Sequence, residues 1–503
     1  MRLIFVAALA LGVLGDLLFR TPVWGLNLTL WIGALALGRH ALTSDRIREP
    51  RWPWLAAVFF AAMWLFRDSE MLLAVDLLAL LGLLSLPLVV RAGQGLLPSG
   101  AAEIIAGPFR SVWHAGIGAG GALLAWNPLP AVTRSGFQRS GAIGLGLVFA
   151  VPLVLIFGAL FASADPVFAK AVESIMQLDL IPALQHVVVI GLLSWAVAGY
   201  LWGVVGTGPG RPVPLPAMRL GFMPVAVPLA ATGGLFLLFI AAQAGTLFGG
   251  EAFIRSQAGL SIADYARRGF FQMLLASALS LPLVYVAAFV AGTLTPRQFR
   301  LLRIGLGAQL ALTSLVLASA LWRLGLYVRM YGLTEDRLYG LTFLGWLGAT
   351  IAVFGVTVLR GRPRGAATAT VIAATLSLAA LNLVNPEAFI ARYNLSHEKR
   401  GGPDTIHLVR MGGDAVPVLV TWLDRLPGAD RCELTAQLID RYGDREGDWR
   451  GWNLARQRAR AAVAGLRRCS AVSGQAAAVS GQGSAISDQP SAVGSGESNS
   501  SRP

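Results

Sequence analysis

The chain has 503 residues, 55% of them hydrophobic and 14% charged, with a mean hydropathy of +0.62. A soluble domain carries about 25% charged residues, so the composition argues against a soluble globular protein and for a polytopic membrane protein. The net charge of +14 is almost all arginine, spread between apolar runs, which reads as loop charge facing an anionic leaflet and not as a nucleic-acid surface.

In chain order, eleven apolar segments predict spans at roughly 3–19, 23–42, 53–66, 71–91, 141–163, 184–205, 222–247, 269–292, 304–322, 338–359 and 366–384. The first follows Arg2 and has the look of a signal peptide. It lacks a small-x-small cleavage site and is interrupted by Asp16, so a retained span is expected. The stretch AGIGAGGALLAW, 115–126, is too short to cross and reads as re-entrant or interfacial. With the N-terminus inside, the inner connections hold 17 Lys and Arg and the outer ones 9. That bias predicts a cytoplasmic N-terminus and, with an odd span count, a C-terminus outside the cytoplasm.

The loops between spans carry helix-start signals. Asp165 before Pro166 is a cap for a short surface helix. Ser261 with Asp264 approximates a capping box, and Thr334 precedes Glu335 and Asp336. After the last span comes NPEAFIARYNLS, 385–396. Asn385 is expected as N-cap, Pro386 at the first helical position, and Glu387 near the positive end of the helix dipole. Phe389, Ile390 and Tyr393 share a face at helical spacing, which predicts a helix lying along the outer surface.

Beyond it, 413–426, 430–442 and 448–468 read as three further helices, and Trp449 and Trp452 are expected to dock them on the membrane face. From 470 the chain is Ser, Gly, Ala and Gln, the composition of a disordered tail. The expected fold is therefore all-α, with a transmembrane helical bundle at 1–384, an extramembrane amphipathic helical domain at 385–468 and the tail at 469–503. Cys432 and Cys469 could pair if that domain lies outside the cytoplasm, but two unpaired thiols are the expectation.

Taken together, GDLLF near the N-terminus, ADPVFA, DYARRGFFQ, YGLTEDRLY, NPEAFIARYNL and the ending DAVPVL to DWRGWNLARQRA resemble a bacterial family of multi-pass membrane proteins known only as a domain of unknown function. The resemblance covers most of the chain up to about 468 and rests on order and spacing. It implies an integral membrane protein with a polar end and implies no activity.

A search for chemistry finds little. Neither lysine follows a glycine, so no phosphate-binding P-loop exists. HEKRG at 397 has Gly401 where a zincin needs its second histidine, and one ligand cannot hold zinc. No catalytic residue, metal or cofactor is expected. The candidate site consists of polar residues near the outer ends of spans, Asp16, Asp76, Gln243 and Asn382, with His186 nearby. A carboxylate in a bilayer costs roughly 2.5–3.5 kcal/mol on insertion scales and so turns toward protein or water. Read functionally, these residues line a polar vestibule; read structurally, they are solvated at the interface. Arg267 and Arg268 are candidate contacts for an anionic lipid headgroup.

The leading expectation is a non-enzymatic scaffold or signalling partner in a bacterial inner membrane, in contact with the bilayer and with a protein partner at its C-terminal domain. The alternative is a secondary transporter of an ion or small polar solute. A transferase acting on lipid-linked substrates is third, with Asp264, Glu335 and Asp336 its only carboxylates.

Overall fold

A computed structural model describes residues 2–43, 50–89, 100–126, 160–176, 180–206, 220–248, 269–292, 294–361, 364–397, 411–443 and 447–469, with isolated positions from 154 to 158. Among them the fold is all-helical, apart from one isolated bridge between Leu220 and Ala291. The bundle helices are α1 Arg2–Leu18, α2 Leu26–Leu42, α3 Trp52–Phe66, α4 Glu70–Ser85, α5 Ala101–Trp113, α6 Ala119–Trp126, α7 Pro166–Met176 and α8 Leu180–Leu201. They continue with α9 Phe222–Phe248, α10 Phe270–Val290, α11 Pro296–Tyr331, α12 Glu335–Thr357 and α13 Arg364–Val384. A C-terminal cap follows: α14 Pro386–Ser396, α15 Val416–Trp422, α16 Gly428–Tyr442 and α17 Leu454–Val463.

Seven helices among the described residues are long and apolar enough to cross a membrane, namely 70–88, 184–205, 222–243, 270–290, 296–331, 335–357 and 365–384. They coincide with seven of the eleven expected spans. The first three expected spans are helices of 17, 17 and 15 residues. The expected span at 141–163 and the capping box at 261–264 lie largely or wholly outside the described residues, as does the tail from 470. The chain is an integral membrane protein by these helices, and the bundle wears its apolar residues outward. Leu3, Val6, Leu9, Val13 and Leu17 make one exposed stripe on α1. An exposed apolar face of that extent fits lipid and not water.

The stretch expected to be re-entrant or interfacial forms the end of a longer helix. α5 runs through a π-helical turn at His114–Gly118 into α6. Its glycines meet those of α8: a Cβ on Gly199 would stand 2.0 Å from the His114 carbonyl oxygen, and one on Gly118 2.9 Å from that of Gly199. Close backbone approach through small residues is how helices associate in lipid, where no hydrophobic force draws them together. The same device joins α1 to α8, where a Cβ on Gly12 would meet Ser194 Oγ at 2.0 Å.

Capping chemistry sets several of the boundaries. Thr295 and Gln298 form a reciprocal box at the start of α11, with Pro296 at the first position. Asp165 accepts from Val167 N at 2.7 Å and opens α7 as its sequence indicated. Thr334 precedes α12, but its hydroxyl makes no capping bond.

The cap is not a separate lobe. One buried apolar cluster runs from Leu281, Leu310 and Leu347 in the bundle to Ile390, Leu419, Leu434 and Leu438 in the cap. Cys432 and Cys469, expected as free thiols, are joined in a disulfide that ties α16 to the chain after α17. Packing of α16 on α17 brings the two Cα atoms to 5.6 Å, a proximity that a sequence separation of 37 does not reveal.

Candidate functional site

The cap sits on the face where the ends of α1, α3, α11 and α13 meet the starts of α2, α4 and α12. Arg450 Nε donates to Leu17 O at 2.7 Å, and Leu26 N donates to Trp452 O at 3.1 Å. Asn453 Nδ2 donates to Trp64 O and Arg67 O at 2.8 and 2.6 Å. Asn394 exchanges two hydrogen bonds with the backbone of Leu333, at 2.8 and 2.6 Å. Since α1 ends at the cap, its N-terminus lies at the opposite end of the bundle.

The seat of the cap is a buried polar cluster. The short α3–α4 turn supplies Arg67, Asp68 and Ser69, and the α13–α14 junction supplies Asn382, Asn385 and Glu387. Asp414 stands between them. It accepts from Asp68 N at 2.7 Å and Asn385 Nδ2 at 2.8 Å, and Arg67 Nη1 approaches at 3.4 Å. Arg67 Nε also donates to Asn382 O at 2.8 Å. Asp68 pairs with Arg456 Nε at 3.0 Å and accepts from Gly413 N at 3.1 Å. Two glycines permit this contact: a Cβ on Gly412 would stand 2.3 Å from Asp68 O, and one on Gly413 2.9 Å from Asp68 Oδ2.

Below this layer Asp76, fully buried in α4, accepts from Asn382 Nδ2 at 2.8 Å. Asp76 Oδ2, Asn382 Oδ1 and Glu387 Oε2 are buried without a hydrogen-bond partner among the described residues. Glu387 is 2% exposed. Burial pushes its carboxyl up to about 8, with the charges of Asp414 and Glu335 adding to the rise and the Gly412 amide opposing it. Burial likewise raises Asp68, against the pull of Arg456, and Asp414, against its bonds to Asp68 N–H and Arg67. The arrangement can hold or release a proton at the joint between cap and bundle.

Of the candidate residues, Asp76 and Asn382 come together in this seat. Asp16 is elsewhere, held by Arg20 Nη2 at 2.9 Å and His186 Nδ1 at 2.8 Å between α1 and α8. Gln243 is in a third cluster, accepting from Ser319 Oγ at 2.6 Å and Arg323 Nη2 at 3.2 Å. Arg267 and Arg268 lie outside the described residues. Among the described residues no group of His, Cys, Asp and Glu could hold a metal.

The 385–396 stretch departs from its expected surface position. Asn385 does cap α14, accepting from Ala388 N at 3.4 Å from a left-handed backbone with φ 59°. But Pro386, Glu387, Ala388 and Ile390 are buried, and Phe389, expected on the same face as Ile390, is 42% exposed. The rest of the cap, with α15 packed against it, covers this helix, which its own periodicity cannot register. Arg67, Asp68, Asp414, Asn453 and Arg456 went unnoticed because each is an ordinary surface residue type on a loop or polar helix.

A family model described as a domain of unknown function, DUF4153, matches residues 54–422. No curated protein and no solved structure matches the chain. The matched region holds both halves of the seat, from Asp68 to Asp414.

Proposed function

Because the chain belongs to the DUF4153 family, whose description carries no activity, we propose a function from the residues: a non-enzymatic scaffold or signalling partner that presents its cap to a protein partner outside the cytoplasm. The carrying observation is the cap itself, fixed on one face of the bundle by a buried polar seat and closed by a disulfide. Disulfides persist in oxidising compartments and are rare in the cytosol. With the N-terminus at the opposite end, this agrees with the arginine bias that favours a cytoplasmic N-terminus. A bacterial inner membrane accommodates both sides of the assignment. Lipid contacts at Arg267 and Arg268 remain part of the reading.

A transporter needs its intramembrane carboxylates on one polar path. Asp16 and Asp76 have different partners, and the cavity described between α9 and α11 is apolar. The scaffold reading is therefore the stronger. Its test is a photo-cross-linking amino acid at Trp449, which is 53% exposed on the cap, with a probe at lipid-facing Leu235 as control. The expected result is a discrete protein adduct from position 449 that Asn453→Ala abolishes by unseating the cap. Adducts only with lipid or with the chain itself, alongside solute uptake by the purified protein in liposomes, would overturn it.

A further inference from the structure

A groove of about 340 Å³ lies between α9 and α11. Leu237 and Leu301, which line it, are 59% and 48% exposed, so its mouth opens on the surface that lipid covers. Its walls are glycine, alanine, leucine and phenylalanine with one polar residue, Gln309. Small residues alone are ordinary between membrane helices. Among the described residues no arginine, lysine, histidine or carboxylate lines the groove. Nothing in it answers a phosphate or any other charge, so its occupant is uncharged.

Gln309 is 1% exposed, and neither atom of its amide has a hydrogen-bond partner among the described residues. Its Oε1 is turned across to α9, 3.4 Å from where a Cβ on Gly233 would stand, so the missing side chain leaves room in front of the amide. The hydroxyls nearby are engaged elsewhere. Thr313 Oγ1 donates to the Gln309 backbone carbonyl at 2.8 Å and stands 2.9 Å from Ser280 Oγ. An unmet amide is costly in a hydrocarbon setting. Water does not fill the groove: the space is about ten times one water's share of the liquid, and apolar walls of this kind stay dry. The occupant must therefore be soluble in lipid, accept from Nε2 and donate to Oε1. Those two atoms share one edge of the side chain, and a protonated carboxylic acid presents the matching acceptor and donor on one edge of its own. An ester or ketone offers acceptors only, and an alcohol offers one atom where two are needed.

We propose that the α9–α11 groove binds the protonated head of a long-chain carboxylic acid. Gln309 Nε2 donates to the carbonyl oxygen of the acid, and its hydroxyl donates to Gln309 Oε1. The alkyl chain lies along the apolar walls and leaves through the mouth into lipid. A second copy of this chain is the lesser fit, because the amide is buried beneath the rim and out of reach of a packed helix face.

The test is photolabelling of the full-length protein in phosphatidylcholine nanodiscs with a palmitic acid that carries a diazirine near its carboxyl end. Adducts should map to α9 and α11. Unlabelled palmitic acid should compete, and palmitamide, which has the same donor and acceptor and no charge, should compete equally well. Methyl palmitate, which lacks the donor, should compete about tenfold less well. Gln309→Leu, which removes the amide at similar volume, should abolish the preference for acid over ester. Gly233→Leu, which places a side chain in front of the amide, should reduce labelling about tenfold; the comparison of acid with ester on the wild type decides the matter if either variant fails to fold. Equal competition by acid and ester on the wild type overturns the proposal, as do adducts outside α9 and α11 or an unchanged preference in Gln309→Leu. So does a dimer, formed without added acid, that Gly233→Leu dissociates.

Discussion

Glu387 concentrates the chemistry of the cap seat in one carboxyl. Folded, it titrates at about 8, against 4.5 when exposed. Between those values the seated cap holds a proton that the opened cap releases. Stability is therefore highest below 4.5 and falls as the pH rises through 8, by at most about 1.4 kcal/mol per pH unit. Hydrogen exchange of α14–α17 between pH 5 and 8.5 should show this slope, and Glu387→Gln should flatten it; an unchanged slope in the mutant would remove Glu387 from the account. Asn453→Ala leaves two partly buried carbonyls, of Trp64 and Arg67, without their donor. It should cost about 1–3 kcal/mol of cap stability in chemical denaturation. At this scale the sequence is half legible. Asn385 announced itself as an N-cap because capping is local, whereas the burial of Glu387 depends on Gly412 and Asp414, which reach it only through the fold.

Helices met their partners through features of two kinds, and only one can be read along the chain. Apolar length marks α8 to α10, α12 and α13 to within a few residues, since burial in lipid demands a continuous run, while α11 runs well past both ends of the expected 304–322. The crossing points were hidden, because a glycine such as Gly12 or Gly199 is a crossing only when another backbone comes near. Gly12→Val should force α1 off α8, where even a Cβ meets Ser194 Oγ at 2.0 Å. A fall of several degrees in melting temperature and new protease sensitivity in α1 would show it; a mutant as stable as the wild type would contradict the packing. The disulfide belongs to the same scale. Closing a loop across 37 positions stabilises by about 4 kcal/mol in the chain-entropy treatment. Reducing it should loosen α16 and α17, seen as faster hydrogen exchange there and not in α10–α12.

The whole molecule is a bundle with its N-terminus at one end and a stapled, polar-seated cap at the other. The count of spans, on which the sidedness argument from arginines depends, is replaced by a geometric relation that needs no count: α1 ends where the cap begins. The two ends then lie at opposite ends of the bundle, and the proposed function puts the disulfide-bearing cap on the oxidising side. The most direct test is thiol labelling in intact cells. The account predicts that Cys432 and Cys469 resist a membrane-impermeant maleimide until an impermeant phosphine reduces them, after which both are labelled without lysis. Labelling that requires no reductant and only a membrane-permeant maleimide would place two free thiols in the cytoplasm and contradict it.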